Sequence, residues 1–231
     1  METDTVHCDL RDNLARVRTT IGTASHQSGR DPQTVTLVAA SKTVEPDRLQ
    51  STIDLGHRVF GENRVQEAKN KWPPLLEGNR GLELHLLGPL QSNKARDAVA
   101  LFDVIQSIDR PSIATAIARE SDKQGRRPQV YIQVNTAREP QKSGVLPEEA
   151  SEFIRACRET LDLDLAGLMC IPPAGEDPSG DFALLRKISE DEGLRVLSMG
   201  MSGDYAQAIG QGATHVRVGS AIFGARPPVR S

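Results

Sequence analysis

Eight aliphatic, β-branched segments recur along the chain, each followed by a stretch of helical periodicity or a short turn. This alternation restricts the fold more than any other feature of the sequence. The strand-like segments are Thr34–Ser41, His57–Gly61, Leu84–Gly88, Asp103–Ser107, Val130–Asn135, Leu163–Ile171, Leu194–Ser198 and Thr214–Gly219. The helical stretches between them are Pro46–Leu55, Val65–Leu76, Asn93–Leu101, Pro111–Gln124, Pro147–Glu159, Asp181–Glu192 and Asp204–Ile209. A further helix, roughly Asp9 to Gln27, precedes them. It sets Leu10, Leu14, Val17 and Ile21 on one face and stops at Gly29 and Pro32. Eight such units predict an α/β fold, a (β/α)8 TIM barrel with an extra N-terminal helix. An open doubly wound sheet shares the alternation. The number of repeats, and no G-x-G-x-x-G after the first strand, favour the barrel. No linker or composition shift divides the chain, so residues 1–231 read as one barrel unit with residues 1–30 packed on it as a helix. The stretch Pro172–Gly180 reads as a loop.

Composition excludes several classes of function. Aromatic residues make up only 3% of the chain, so the core must be built from Val, Leu, Ile and Ala. A net charge of -3 argues against a nucleic-acid footprint. No apolar run is long enough to span a bilayer, and the start METDTVHCDL lacks the basic and apolar regions of a signal peptide. Cys8, Cys157 and Cys170 form no C-x-x-C, and the five histidines are scattered, so neither a disulfide framework nor a metal site is suggested. A reducing cytoplasm is the simplest expectation.

In a barrel, functional residues gather at the C-terminal ends of the strands. Lys42 closes the run TVTLVAASK and shares strand parity with Ala40, Val38 and Thr36. If these face the lumen, the amine sits at its top. A desolvated amine can attack an aldehyde, as in a pyridoxal-phosphate protein or a Schiff-base aldolase, although most lysines at strand ends are only solvated. Two turns follow the seventh and eighth strands: Gly200-Met201-Ser202-Gly203, whose Ser202 could cap a helix, and Gly219-Ser220-Ala221. The loops after those strands are the usual phosphate site of this fold, and their ordinary alternative is turn and cap chemistry. Gly219 and Gly224 are not a Walker motif, since Ala225-Arg226 stands in place of Lys-Ser/Thr.

Arg217 lies between Val216 and Val218 with the parity of His215 and Gly219. If the valines face the helices, Arg217 faces the lumen and needs an anion or an acceptor there. An inward acid is the plain alternative. Beside a pyridine ring, arginine would keep the ring nitrogen unprotonated and weaken an electron sink. Glu62 and Asn63 could contact a ligand or cap the next helix, and Ser92 reads as an N-cap. Lys142 lies in a surface loop after the fifth strand, where a second amine could handle an aldehyde in transit. Cys170 reads as a packing residue.

Taken together, six strings resemble the pyridoxal phosphate homeostasis protein family. They are VAASKT around Lys42, FGENRVQEA from Phe60, LHLLGPLQSNK from Leu84, GLMCIP from Gly167, LSMGMSGDYAQAI from Leu197 and VRVGSAIFGAR from Val216. The resemblance runs nearly the full length of the chain and implies a barrel similar to the N-terminal domain of alanine racemase. It implies pyridoxal phosphate (PLP) held by Lys42 as a covalent aldimine. Ser202, Gly219 and Ser220 would hold the phosphate, with Met201 beside it, Arg217 at the pyridine nitrogen and Asn63 near the ring. Arg64 departs from the tyrosine usual after FGEN, and Cys170 from the usual small residue. The resemblance further implies a monomer without established catalysis, which buffers, protects and delivers PLP through transient contact with PLP-dependent apo-enzymes. Related racemases use a second acid-base group, typically a tyrosine from a second domain. Tyr131, expected within the fifth strand, and Tyr205, expected in the helix after the seventh, are not obvious equivalents. A racemase-like enzyme and a phosphosugar aldolase remain the alternatives.

Overall fold

The structure is a computed structural model that describes residues 2–224, with side chains from Asp9 onward. Cys8 as a side chain and Ala225-Arg226 lie outside the described residues. Eight parallel strands close into a barrel: β1 (Thr36–Ala40), β2 (Val59–Glu62), β3 (Glu83–Leu86), β4 (Val104–Ile108), β5 (Gln129–Gln133), β6 (Leu165–Met169), β7 (Val196–Met201) and β8 (His215–Val218). Each pairs with the next in sequence, and β8 returns to β1 through Thr36–His215 to Ala39–Val218. The helices are α1 (Glu2–Gln27), α2 (Pro46–Asp54), α3 (Val65–Gly78), α4 (Ala95–Leu101), α5 (Pro111–Gln124), α6 (Pro147–Arg155), α7 (Ser179–Asp191), α8 (Tyr205–Gly210) and α9 (Ser220–Phe223). The alternation read from the sequence is therefore the TIM barrel and not the open sheet.

Strand alternation divides the interior in two. Leu37, Ala39, Phe60, Leu84, Leu86, Val130, Ile132, Leu168, Val216 and Val218 point outward into one aliphatic layer beneath the helices. Val104, Tyr131 and Met169 form a smaller apolar cluster on the inner face. Polar side chains share the lumen with them: His85, Gln106, Ser198 and Arg217 are all buried. Helix α1 lays Leu10, Leu14, Val17 and Ile21 into the core and packs on α8 and α9, where Asn13 donates to the Ile222 carbonyl. Its end is the expected one: Gly29 takes φ 67, and Arg30 N–H bonds back to the Ser25 carbonyl. No helix among the described residues is long and apolar enough to cross a membrane.

Several edges move inward from the sequence reading. β1 begins at Thr36 because Asp31 caps a 3-10 turn over Pro32–Thr34. β6 is limited to Leu165–Met169, since Asp162 at φ 47 turns the chain before it. Ser92 is no N-cap: Gln91 precedes a 3-10 turn over Ser92–Lys94, and α4 starts only at Ala95. α3 is preceded by Arg64 without a side-chain cap, so neither Glu62 nor Asn63 caps it.

Candidate functional site

A cavity of about 560 Å³ opens at the C-terminal ends of the strands. Lys42, Asn63, Met201, Ser202, Arg217, Gly219 and Ser220, all singled out from the sequence, line it together. So do Arg48 from α2 and an apolar rim of Leu87, Ile171 and Phe223. Among the described residues, Ile171 and Met201 are the large hydrophobic side chains left exposed, and both lie on this rim.

Lys42 follows β1 in a turn whose next residue, Thr43, has φ 63. The turn is held from behind by α3. Ser41 is fully buried, and its hydroxyl donates to Glu62 Oε1 at 2.7 Å. Lys71 Nζ donates to the Ser41 and Val44 carbonyls at 3.0 and 3.3 Å and pairs with Glu62 at 2.8 Å. Thr43 N–H donates to Glu67 Oε1 at 2.7 Å, and Trp72 Nε1 donates to Glu62 at 2.9 Å. Glu62 therefore points away from the lumen, against α3. The expectation that it contacts a ligand or caps a helix is corrected, because strand parity turns it outward while Asn63 turns in. Gly88 passes so close to Asn63 that a Cβ there would sit 2.2 Å from the Asn63 carbonyl oxygen, which fixes that loop.

Met201 reaches the cavity through an irregularity in β7. Ser198 pairs with His215, but the next pairing skips to Met201 with Arg217. Gly200, between them, takes φ 90. Ser202 does not cap α8. Asp204 precedes that helix and accepts from the Met201 N–H at 2.5 Å, while the Ser202 hydroxyl accepts from the Gly219 N–H at 3.2 Å. The two glycine turns are thus joined directly. Gly219 also packs tightly, since a Cβ there would lie 3.0 Å from the Ala40 carbonyl oxygen.

Arg217 faces the lumen as its parity predicts. Its guanidinium donates to Ser198 Oγ at 2.7 Å and to the Cys170 carbonyl at 2.8 Å. No carboxylate among the described residues forms an ion pair with it, so the inward acid is excluded. Burial pushes its pKa below the ordinary arginine value, and the carboxylate of Asp204 opposes that shift. Cys170 packs as expected: it is fully buried, and burial pushes its thiol up to about 12.

Other sequence candidates stand apart. Lys142 pairs with Glu139 and is not a lining residue. Arg64 is exposed and outside the cavity. Tyr131 lies in the lumen with its hydroxyl 3.5 Å from His215 Nε2, and Tyr205 packs on the core, so neither lines the cavity. Sequence reasoning missed Arg48. Its Nε is buried without a hydrogen-bond partner among the described residues, and the proline-led helix start around it gave no signal. It also missed Lys71, since helical periodicity alone does not show that its ammonium group reaches the end of β1.

The family model described as alanine racemase, N-terminal domain, matches residues 10–227. The pyridoxal phosphate homeostasis protein of Escherichia coli K12 is 41% identical over 227 residues, covering 94% of this chain and 97% of its own. The protein of the same name from Pseudomonas aeruginosa is 42% identical over 223 residues, covering 94% and 96%. PipY of Synechococcus elongatus PCC7942, in a structure with PLP bound, superposes with a TM-score of 0.80 at 33% identity, covering 93% of this chain and all of that one. An alanine racemase of Clostridium difficile shares the fold at a TM-score of 0.71 and 14% identity, this chain spanning 58% of it. The chain belongs to the alanine racemase N-terminal domain family and, within it, to the pyridoxal phosphate homeostasis proteins.

Proposed function

We propose that this chain binds PLP in the cavity above the barrel, and that it stores and releases the cofactor without turning over amino acids. The observation that carries this reading is the convergence of an amine, an arginine and two joined glycine turns on one cavity, in a chain 33% identical to a protein whose structure holds PLP. The residues present fit the group. Among the described residues, Lys42, Arg48 and Arg217 outnumber the single lining carboxylate, Glu45, as a phosphorylated ligand requires. Ser202 and Ser220 supply hydroxyls, and Leu87, Ile171, Met201 and Phe223 supply apolar walls for a ring.

Bound PLP supplies an aldehyde that a primary amine captures reversibly. Lys42 is the amine we assign to that capture, held at the top of the lumen by the turn that Lys71, Glu62 and Glu67 fix. Ser202, Gly219 and Ser220, with Met201 beside them, hold the phosphate end, and Asn63 flanks the ring. Arg217 keeps its proton and presents it toward the ring nitrogen. The absence of Tyr131 and Tyr205 from the cavity wall supports storage over racemisation. On this reading the protein acts as a cytoplasmic monomer that passes PLP to apo-enzymes.

Borohydride reduction followed by peptide mapping tests cofactor and lysine together. The reduced protein should carry the pyridoxyl group on the peptide containing Lys42, and Lys42→Ala should lose both label and visible absorbance. A Lys42→Ala protein that retained both would overturn the assignment.

A further inference from the structure

The barrel lumen below Arg217 holds a continuous line of hydrogen bonds that the pocket itself does not explain. Arg217 Nη1 donates to Ser198 Oγ at 2.7 Å, and Ser198 donates to Gln106 Oε1 at 2.5 Å. Gln106 Nε2 lies 2.6 Å from His85 Nδ1, and His85 Nε2 lies 2.6 Å from Glu83 Oε1. Ser198, Gln106 and His85 are fully buried, on β7, β4 and β3. Glu83, the first residue of β3, reaches solvent at the opposite end of the barrel, with 46% of its side chain exposed.

The donor at every step is fixed by the first. Arginine only donates, so the Ser198 hydroxyl accepts from it and directs its own proton to Gln106. The Gln106 carbonyl oxygen is thereby used, and its amide nitrogen must face His85. His85 Nδ1 accepts, leaving the ring proton on Nε2 for the Glu83 carboxylate. All four links point the same way, from a buried cation to a carboxylate, which is the arrangement in which neighbouring hydrogen bonds polarise one another. The hydrogen bond from His85 also holds the Glu83 carboxyl below its usual value. The neighbouring imidazole of His215, 6.1 Å from His85 between ring centroids, is pulled by burial to about 4 and stays neutral.

We propose that Gln106 and His85 are positioning residues for Arg217: through Ser198 they orient its guanidinium and link its charge to Glu83, and so set how the cavity binds the pyridine ring of its ligand. The proposal rests on the reading that PLP occupies the cavity. Nitrogen NMR of the histidine rings in the PLP-free protein tests the line independently of that reading. It should show His85 as the Nε2–H tautomer, and Arg217→Met should move both ring nitrogen resonances although the two side chains do not touch.

In PLP titrations followed by visible absorbance, Ser198→Ala should weaken binding about tenfold, the loss expected for one hydrogen bond to a charged group, and Gln106→Leu should weaken it in the same direction by less. Each should also shift the absorption maximum, which a loss of packing alone does not. Ser198→Ala removes one oxygen and carries the test if Gln106→Leu does not fold. A His85 ring protonated on Nδ1, or both variants binding PLP with the affinity and maximum of the parent, would overturn the proposal. A parent protein that shows no visible band overturns the PLP reading alone, and the tautomer and the Arg217→Met shift then decide the relay.

Discussion

The ammonium group of Lys71 lies 3.0 Å from the carbonyl oxygen of Ser41, the residue before Lys42. The contact crosses from α3 to the end of β1, and it places a second lysine behind the first. Lys71 is nearly buried, with 8% of its side chain exposed, and its carboxylate partner Glu62 is fully buried. The pair supports a turn that needs support. Thr43 is β-branched and sits in the left-handed region at φ 63, which costs about 1–3 kcal/mol unless the surroundings impose it.

Lys71→Met should lower stability by about 3–5 kcal/mol, because it leaves the Glu62 carboxylate buried and uncompensated. Adding Glu62→Gln should restore much of the loss, since the charge is then gone while an acceptor for Ser41 and Trp72 remains. Urea unfolding of the single and double variants measures both effects. A single variant within about 1 kcal/mol of the parent would show that the pair does not clamp the turn.

Gly200 and Gly203 flank Met201 and Ser202 but should respond oppositely to alanine. A Cβ at Gly200 would lie 2.6 Å from Ala208 Cβ and 2.9 Å from Tyr205 Cα, at φ 90. A Cβ at Gly203 would meet nothing within 4 Å. We expect Gly200→Ala to cost about 2 kcal/mol or more, through strain and overpacking. Gly203→Ala should stay within about 0.5 kcal/mol of the parent. Thermal unfolding midpoints separate the two, and equal losses would show that the β7 irregularity does not depend on Gly200.

The barrel was legible because period-two aliphatic runs and amphipathic helices alternate without interruption, and Lys42 and Arg217 were legible because strand parity fixes which way they point. What hides is the part that depends on pairing across the chain. His85 reads as one residue in the apolar run LHLLG, and Glu83 falls just before it. Only the closed sheet brings β3 and β4 beside each other and sets β7 across the lumen, so that His85, Gln106 and Ser198 meet. Their shared inward parity was the available signal, since buried polar side chains in neighbouring strands must satisfy one another. Lys71 carried no such signal, because helical periodicity does not say what lies above a strand end. For Ser202 a cap stayed open as the alternative to a ligand contact, because local turn chemistry fits both. The contact with Gly219 that replaces it spans two strands.

Acid should begin to destabilise this protein once the pH falls below about 6.5. Burial pulls both His57 and His215 down to about 4 in the folded state. In the unfolded chain each takes its proton near the ordinary value of about 6.5. The unfolded state therefore binds more protons between those limits. Stability is fully present above about 6.5 and is lost as the pH falls toward 4, at about 1.4 kcal/mol per pH unit for each ring. His57 donates to the Val59 carbonyl at 2.7 Å, so His57→Gln keeps a donor and removes the titration. Its urea midpoint should fall less steeply from pH 7 to pH 5 than the parent's. Identical slopes would exclude His57 as a source.

Arg48 should show binding and stability moving in opposite directions. Its Nε is buried without a partner among the described residues, and the side chain lines the cavity beside Lys42. An unmatched buried donor costs about 1–3 kcal/mol, a cost that an acceptor on a ligand in the cavity would relieve. Arg48→Met keeps the apolar stem and removes the donor, so the ligand-free variant should be as stable as the parent or more stable. PLP should bind it about tenfold more weakly, the loss expected for one charge-assisted hydrogen bond. Pyridoxal, which lacks the phosphate, should bind parent and variant alike if Arg48 meets the phosphate. Equal weakening for both ligands would move Arg48 to the ring. A variant that bound PLP as tightly as the parent would leave the buried nitrogen without a role in binding.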